Sequence, residues 1–299
     1  LVAACVAVLA SALRADGAAP RVVTTIKPIH SLASALLEGI GRPELLLQGA
    51  ASPHSYSLKP SDAAMLAEAD IVVRVSKNLE VFLTRPLETI PHHAVLVDLD
   101  RTSGLLLLPV RTGAADWEAD ASVQRGEGDF DVHFWLDPDN AIAIAGALAR
   151  AFSQADPAHA AQYATNQAKL TQRLRALDEA LREELSAVRN RPFIVFHDVT
   201  QYIEHRYGLQ SLGAVTLSPE REPGAKRLSA LRSQIVSGQV FCVFAEPEFP
   251  PKLVQTLVEG TSAKTGTLDE VGAALPAGPD HYFELMRGNA ASLARCLGG

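Results

Sequence analysis

From residue 21 onward, short apolar runs alternate with segments whose apolar residues recur every three or four positions. The runs at 21–26 (RVVTTI), 45–47, 71–75 (IVVRV) and 94–99 (AVLVDL) read as strands, and 29–37, 61–69 and 79–90 read as helices. Strands alternating with helices of this length predict βα units and a parallel sheet. Pro60-Ser61-Asp62 marks a helix start, with Ser61 as the expected N-cap. Asp137-Pro138 opens another helix through about Phe152, an aspartate cap followed by proline in the first turn.

The longest helical pattern starts at Asp156-Pro157 and ends near Pro192. Tyr163, Gln167, Leu170, Leu174, Leu177, Leu181, Leu185 and Val188 line one apolar stripe along it. Some 30 residues at 1.5 Å each reach about 45 Å, longer than one small domain. A spar between two lobes therefore fits better than a large surface helix, because the βα rhythm restarts directly behind it. Strands are expected at 193–196, 212–217 and 240–245, and helices at 199–206, 225–236, 251–259 and 280–293. The expected fold class is α/β: two lobes, each a small parallel-rich sheet flanked by helices, joined by one long connecting helix. The boundaries are 20–155 for the N-terminal lobe, 156–191 for the helix and 192–299 for the C-terminal lobe, with no short internal repeat.

Two segments stand outside this rhythm. Leu1–Leu13 is continuously apolar or small and is followed by Arg14-Ala15-Asp16, which reads as the core and cleavage zone of a secretory signal. Residues 1–19 are accordingly set aside as a signal peptide remnant, and the rest is expected to be exported. Residues 101–131 carry Asp116, Glu118, Asp120, Glu127, Asp129 and Asp131 among Gly and Ala, and read as a long acidic surface loop. Composition changes the picture little: 47% hydrophobic and 20% charged residues are ordinary for a globular protein. A formal net charge of -7 argues against a nucleic-acid or polybasic membrane-surface footprint. Beyond the signal segment two cysteines remain, Cys242 and Cys296. In an exported chain one disulfide is the simplest reading, and two unrelated buried thiols the alternative.

Of nine histidines, three are set apart by location. His54 lies in the loop before the Ser61 helix, His133 just before a helix N-terminus, and His197 at the end of the strand 193–196. In open parallel sheets, ligands bind outside the carboxyl ends of the strands. Asp269, in Thr265-Gly266-Thr267-Leu268-Asp269, occupies a similar position in the second lobe. Three imidazoles plus a carboxylate or water suit four-coordinate Zn²⁺, whereas more carboxylates would favour Mn²⁺. The candidates are scattered, and spacing alone leaves ordinary histidines an equal alternative. His30, His159, His205 and His281 fall in helical patterns and His92-His93 in a connector, so these read as satisfied or solvated. Trp135 reads as packing beside the site, and Glu246-Pro247-Glu248 as a loop bordering the cleft.

The local strings add a resemblance. Ser52-Pro53-His54-Ser55-Tyr56-Ser57-Leu58-Lys59-Pro60-Ser61-Asp62, Asp131-Val132-His133-Phe134-Trp135-Leu136-Asp137-Pro138 and Phe196-His197-Asp198-Val199-Thr200-Gln201-Tyr202 resemble the zinc-specific, ZnuA-type substrate-binding proteins of bacterial ABC importers. Cys242-Val243-Phe244-Ala245-Glu246-Pro247-Glu248-Phe249 and Gly266-Thr267-Leu268-Asp269 continue it in register through residues 21 to 297. The resemblance implies a monomer that captures Zn²⁺ between two lobes through His54, His133 and His197. The zinc would be transported cargo, delivered to the permease of an inner-membrane ABC importer with its cytoplasmic ATPase. Asp269 falls where the family offers a carboxylate that some members replace by water. Manganese-binding relatives carry a carboxylate where His197 stands, and the family's second-lobe disulfide matches Cys242 and Cys296.

Three departures accompany the match. The acidic tract 101–131 lacks the histidines many zinc members carry there, Pro53 stands where some place a carboxylate, and Glu270 follows Asp269 where the family often has proline. The resemblance implies no catalysis. The alternatives are a manganese or iron carrier of the same fold, a zinc hydrolase with Glu246 or Asp198 as base, or an adhesin with a structural metal.

Overall fold

Val22–Thr24 (β1), Ile71–Arg74 (β3), Phe193–Val195 (β5) and Cys242–Ala245 (β7) are the buried strands at the centre of the molecule. The computed structural model describes residues 19–90, 93–111, 130–216 and 222–298. The signal segment, His92, most of the acidic tract and the end of the expected strand 212–217 lie outside the described residues. The shorter strands are Glu44–Leu45 (β2), Val95–Asp98 (β4), Ser211–Ala214 (β6) and Lys264–Thr267 (β8).

Among the described residues these form two four-stranded sheets, ordered β2-β1-β3-β4 and β6-β5-β7-β8, with every pairing parallel. Each order has its second strand in sequence outside the first, and its third and fourth on the other side. The two halves thus share one topology that leaves no sequence period. Each sheet also has a switch point beside its first strand, where an open α/β sheet offers a crevice at the carboxyl ends.

In the first half, Lys27–Leu36 (α1), Pro60–Glu68 (α2) and Val81–Thr89 (α3) connect the strands, and Pro138–Ala155 (α4) follows the acidic tract. The α4 cap is as expected: the Asp137 carboxylate accepts from the Asp139 and Asn140 amides at 2.7 and 3.3 Å. The α2 start is not. Pro60 is the first helical residue, and Asp62 reaches back to accept from the Lys59 amide at 2.8 Å, so Ser61 is inside the helix rather than its cap. Ala160–Leu185 (α5) is the long helix, extended at both ends by short 3₁₀ turns. Its buried stripe contains Tyr163, Leu170, Leu174, Leu177, Leu181 and Leu185, with Asn166 buried in place of Gln167. The Asn166 amide donates to the Leu36 and Glu38 carbonyls, both at 2.9 Å, fastening α5 to the end of α1.

The second half adds Gln201–Tyr207 (α6), Ala225–Val236 (α7), Lys252–Val258 (α8) and His281–Gly298 (α9). Its sheet is buried on both faces, so side chains alternate between two cores. Phe193, Val195, Cys242 and Phe244 face one that runs continuously through α1, α4, α5 and α9 into the first sheet. Ile194, Phe196 and Val243 face a smaller one beneath α7 and α8. Cys242 and Cys296 form a disulfide with Cα atoms 6.1 Å apart, tying the start of β7 to the end of α9.

Candidate metal centre

The loops leaving the carboxyl ends of the two sheets bring four donors together: His54, His133, His197 and Glu270. His54 comes from the loop between β2 and α2, and His133 from the turn before α4. His197 lies just past β5, and Glu270 just past β8. The His133 Nε2 is 3.3 Å from His54 Nε2, 3.4 Å from His197 Nε2 and 2.9 Å from Glu270 Oε2. Glu270 Oε2 is 3.5 Å from His197 Nε2 and 3.9 Å from His54 Nε2. Donors on a tetrahedral Zn²⁺ at the usual bond lengths stand about 3.3 Å apart, within the span of these separations.

For His133 and His197, the outer ring nitrogen decides where the lone pair lies once the ring is neutral. His133 donates both its amide (2.9 Å) and Nδ1–H (2.8 Å) to Asp131 Oδ1. His197 donates its amide to Glu246 Oε1 at 3.1 Å and Nδ1–H to Oε2 at 2.6 Å. A carboxylate can only accept, so the proton sits on Nδ1 and a neutral ring turns its Nε2 lone pair inward. Glu246 stands directly beyond β7, beside β5, so this pair straddles the switch point of the second sheet. The short Oε2–Nε2 distance notwithstanding, Glu270 Oε2 is buried without a well-formed hydrogen bond in the protein. Lone pairs packed this closely repel unless a proton or metal cation lies among them.

Electrostatics follows the same geometry. Burial disfavours the charged form of His133, but Asp131 and then Glu270 outweigh it and push its pKa up to about 9. For His197 burial is likewise overcome, by Glu246 and Glu270, and the pKa lies well above the ordinary value. Burial opposes the charge on Glu270, yet its three imidazole neighbours hold it well below the usual carboxylate range.

Asp269, expected as the fourth donor, is not among the four. Its carboxylate turns into its own loop and accepts from the Val271, Gly272 and Ala273 amides at 3.0, 2.6 and 2.7 Å. This is an Asx-type turn, a role for which aspartate before a glycine-containing stretch is suited. Once Asp269 caps the turn, the next residue projects into the cleft. The signal was legible in Asp269-Glu270-Val271-Gly272, but only by reading Asp269 as a turn former.

The other candidates fall into structural roles. Trp135 is fully buried, lies edge-on to the His133 ring and donates Nε1–H to the Glu270 carbonyl at 3.0 Å. Glu246, in the loop expected to border the cleft, holds His197. Asp198 pairs with Arg111 at 3.5 Å, and burial pushes its pKa up to about 7. His30 and His281 face backbone carbonyls, and His159 faces Asp156. His93, expected to be solvated, is exposed but lies 2.9 Å from Asp70.

Comparison with known proteins fits this picture. The family described as ZnuA, zinc-uptake complex component A, periplasmic, matches residues 22–296. The chain belongs to the ZnuA family. The high-affinity zinc uptake system protein ZnuA of Brucella abortus is 40% identical, the alignment covering 92% of this chain and 91% of that protein. A crystal structure of a ZnuA superposes with a TM-score of 0.78 at 23% identity, over 93% of this chain and 99% of that one. The laminin-binding adhesin Lmb of Streptococcus agalactiae, in a mutant form, superposes at 0.77 with 26% identity, over 93% and 99%. The ZnuA match shares the two-sheet fold, and the family match takes in all four clustered residues.

Proposed function

We propose that this protein is a periplasmic solute-binding protein that captures Zn²⁺ as cargo on His54, His133, His197 and Glu270. It hands the ion, as a monomer, to the permease of an ABC importer driven by a cytoplasmic ATPase. The observation that carries the reading is the convergence of three Nε2 atoms and one carboxylate oxygen at tetrahedral spacing, two of the imidazoles backed by carboxylates. Three neutral nitrogens and one oxygen suit borderline Zn²⁺ better than Mn²⁺, which prefers oxygen donors. Four protein donors close the coordination sphere, whereas a zinc hydrolase keeps one position open for water. Glu246 is engaged by His197 and Asp198 pairs with Arg111, so both expected bases already have partners of their own. Binding without catalysis is therefore the favoured reading.

The test is metal competition on the purified, metal-stripped protein. Zinc should bind at one tight site and resist displacement by a large excess of manganese. Loss of zinc to equimolar manganese would refute the assignment.

A further inference from the structure

Glu270 belongs to the second half of the chain, yet its loop is fastened to the first. Lys27, the first residue of α1, is only 7% exposed, and its ammonium meets three carbonyls of that loop. Nζ donates to Gly272 O at 3.1 Å, Ala273 O at 2.8 Å and Leu275 O at 3.1 Å. An ammonium has three N–H bonds, and each is matched by one carbonyl. From the other side of the loop, the Asp269 carboxylate takes the amides of residues 271 to 273. The peptide joining Gly272 to Ala273 thus lies with its N–H end on an anion and its C=O end on a cation, the orientation both charges favour. Gly272 completes the arrangement. At φ +70° it holds a left-handed turn, and a β-carbon there would lie 2.4 Å from the His281 ring.

We infer that Lys27 is a positioning residue for the zinc site: through the carbonyls of Gly272, Ala273 and Leu275 it fixes the Glu270 carboxylate in register with the first-lobe ligands His54 and His133. Trp135 makes a parallel tie, from beside His133 to the Glu270 carbonyl. With both in place, the carboxylate is mounted on the first lobe although its strand belongs to the second. Only Lys27 adds charge to the tie, and arginine cannot replace it, because a planar guanidinium does not present three donors to three carbonyls around one point.

This inference rests on the zinc-site reading above, and the experiment separates the two. Zinc affinity is measured by chelator competition on wild type, Lys27→Met, Glu270→Ala and the double variant, with circular dichroism and thermal melts as folding controls. Lys27→Met keeps the buried stem, and Ser31 still bonds the Pro279 carbonyl and the Tyr282 amide to hold the loop's far end. The expected result is about a 10- to 100-fold loss in Lys27→Met, the range for removing a support of a metal ligand. In the Glu270→Ala background the same change should cost less than about threefold, because the ligand it positions is gone. Wild-type affinity in folded Lys27→Met, or an equal loss in both backgrounds, overturns the inference. Should Lys27→Met not fold, Lys27→Arg takes its place, with the same expected loss and the same refuting outcomes. A Glu270→Ala variant that binds zinc like wild type overturns the ligand assignment itself, and this inference with it.

Discussion

Replacing Glu246 with glutamine tests the site where its chemistry is most exposed to a small change. The carboxylate serves one histidine twice, Oε1 accepting the His197 amide at 3.1 Å and Oε2 its Nδ1–H at 2.6 Å. Glutamine has one acceptor oxygen and one NH₂, and cannot satisfy both. If its oxygen keeps the ring, the NH₂ faces the buried His197 amide and that hydrogen bond is lost. If its oxygen keeps the amide, the NH₂ faces Nδ1 and favours the tautomer protonated at Nε2. That tautomer has no lone pair to give to zinc. Loss of such a carboxylate–histidine support costs about 10- to 100-fold in metal affinity, or about 1.4 to 2.7 kcal/mol. The assay is competition with a chromophoric chelator at pH 7.5, with a thermal melt to show that the metal-free variant is folded. A folded Glu246→Gln protein binding zinc within about threefold of wild type would refute the argument that this carboxylate sets the donor state of His197.

Four further expectations follow from the same structure. Glu270→Ala should lose zinc affinity by more than about 100-fold with little change in melting temperature. Asp269→Ala should mainly destabilise the fold, by roughly 1–3 kcal/mol for its orphaned amides, and the reverse pattern in titrations and melts would restore Asp269 as the ligand. Cys242→Ser with Cys296→Ser should lower stability by about 4 kcal/mol, the entropy of a loop this long, and an unchanged denaturant midpoint would contradict it. Finally, His133 in the metal-free protein is pushed up to about 9 and so holds a proton at pH 7. Zinc must expel that proton, so apparent affinity should climb from pH 7 to pH 9. The stability this raised pKa gives the metal-free fold is full below about pH 6.5 and fades as pH rises through 9. Calorimetry in two buffers of different protonation enthalpy should show proton release on zinc binding at pH 7, and none would refute it.

The buried strands were legible because their hydrophobic runs are unbroken. β8 was not: Lys264-Thr265-Gly266-Thr267 has no apolar run, lies at the sheet edge and pairs only with β7. Its pattern answers to a neighbour instead. The Phe244 ring fills the space where a β-carbon on Gly266 would sit, 2.5 Å away. The shared strand order of the two halves was equally invisible, since pairing order is set by packing between distant segments. Among the candidate residues, the three histidines singled out from strand ends and local strings are brought together in the structure. The carboxylate was legible only by reading Asp269 as a turn former, because neighbouring residues of a turn point in different directions, and which one turns inward depends on who caps the turn. Spacing locates a loop; only its hydrogen bonds locate the side chain.

The continuous core bears on how the ion reaches its ligands. Trp135 and Tyr282 are fully buried where the halves meet, and the Tyr282 hydroxyl donates to the Trp135 carbonyl at 2.9 Å. Parting the halves as rigid bodies would expose such rings, each burying some 150–250 Å² at about 25 cal/mol per Å², or about 4 to 6 kcal/mol apiece. That cost falls on the contacts that hold His133 and Glu270 in place. His54 is mounted differently: it sits on the loop before α2, and its side chain is 15% exposed, against 2% for Glu270. Solvent therefore reaches the donor set at His54. The three deeper donors are held by the core and the loop ties, so on the reading proposed above an ion entering from solvent would meet His54 first.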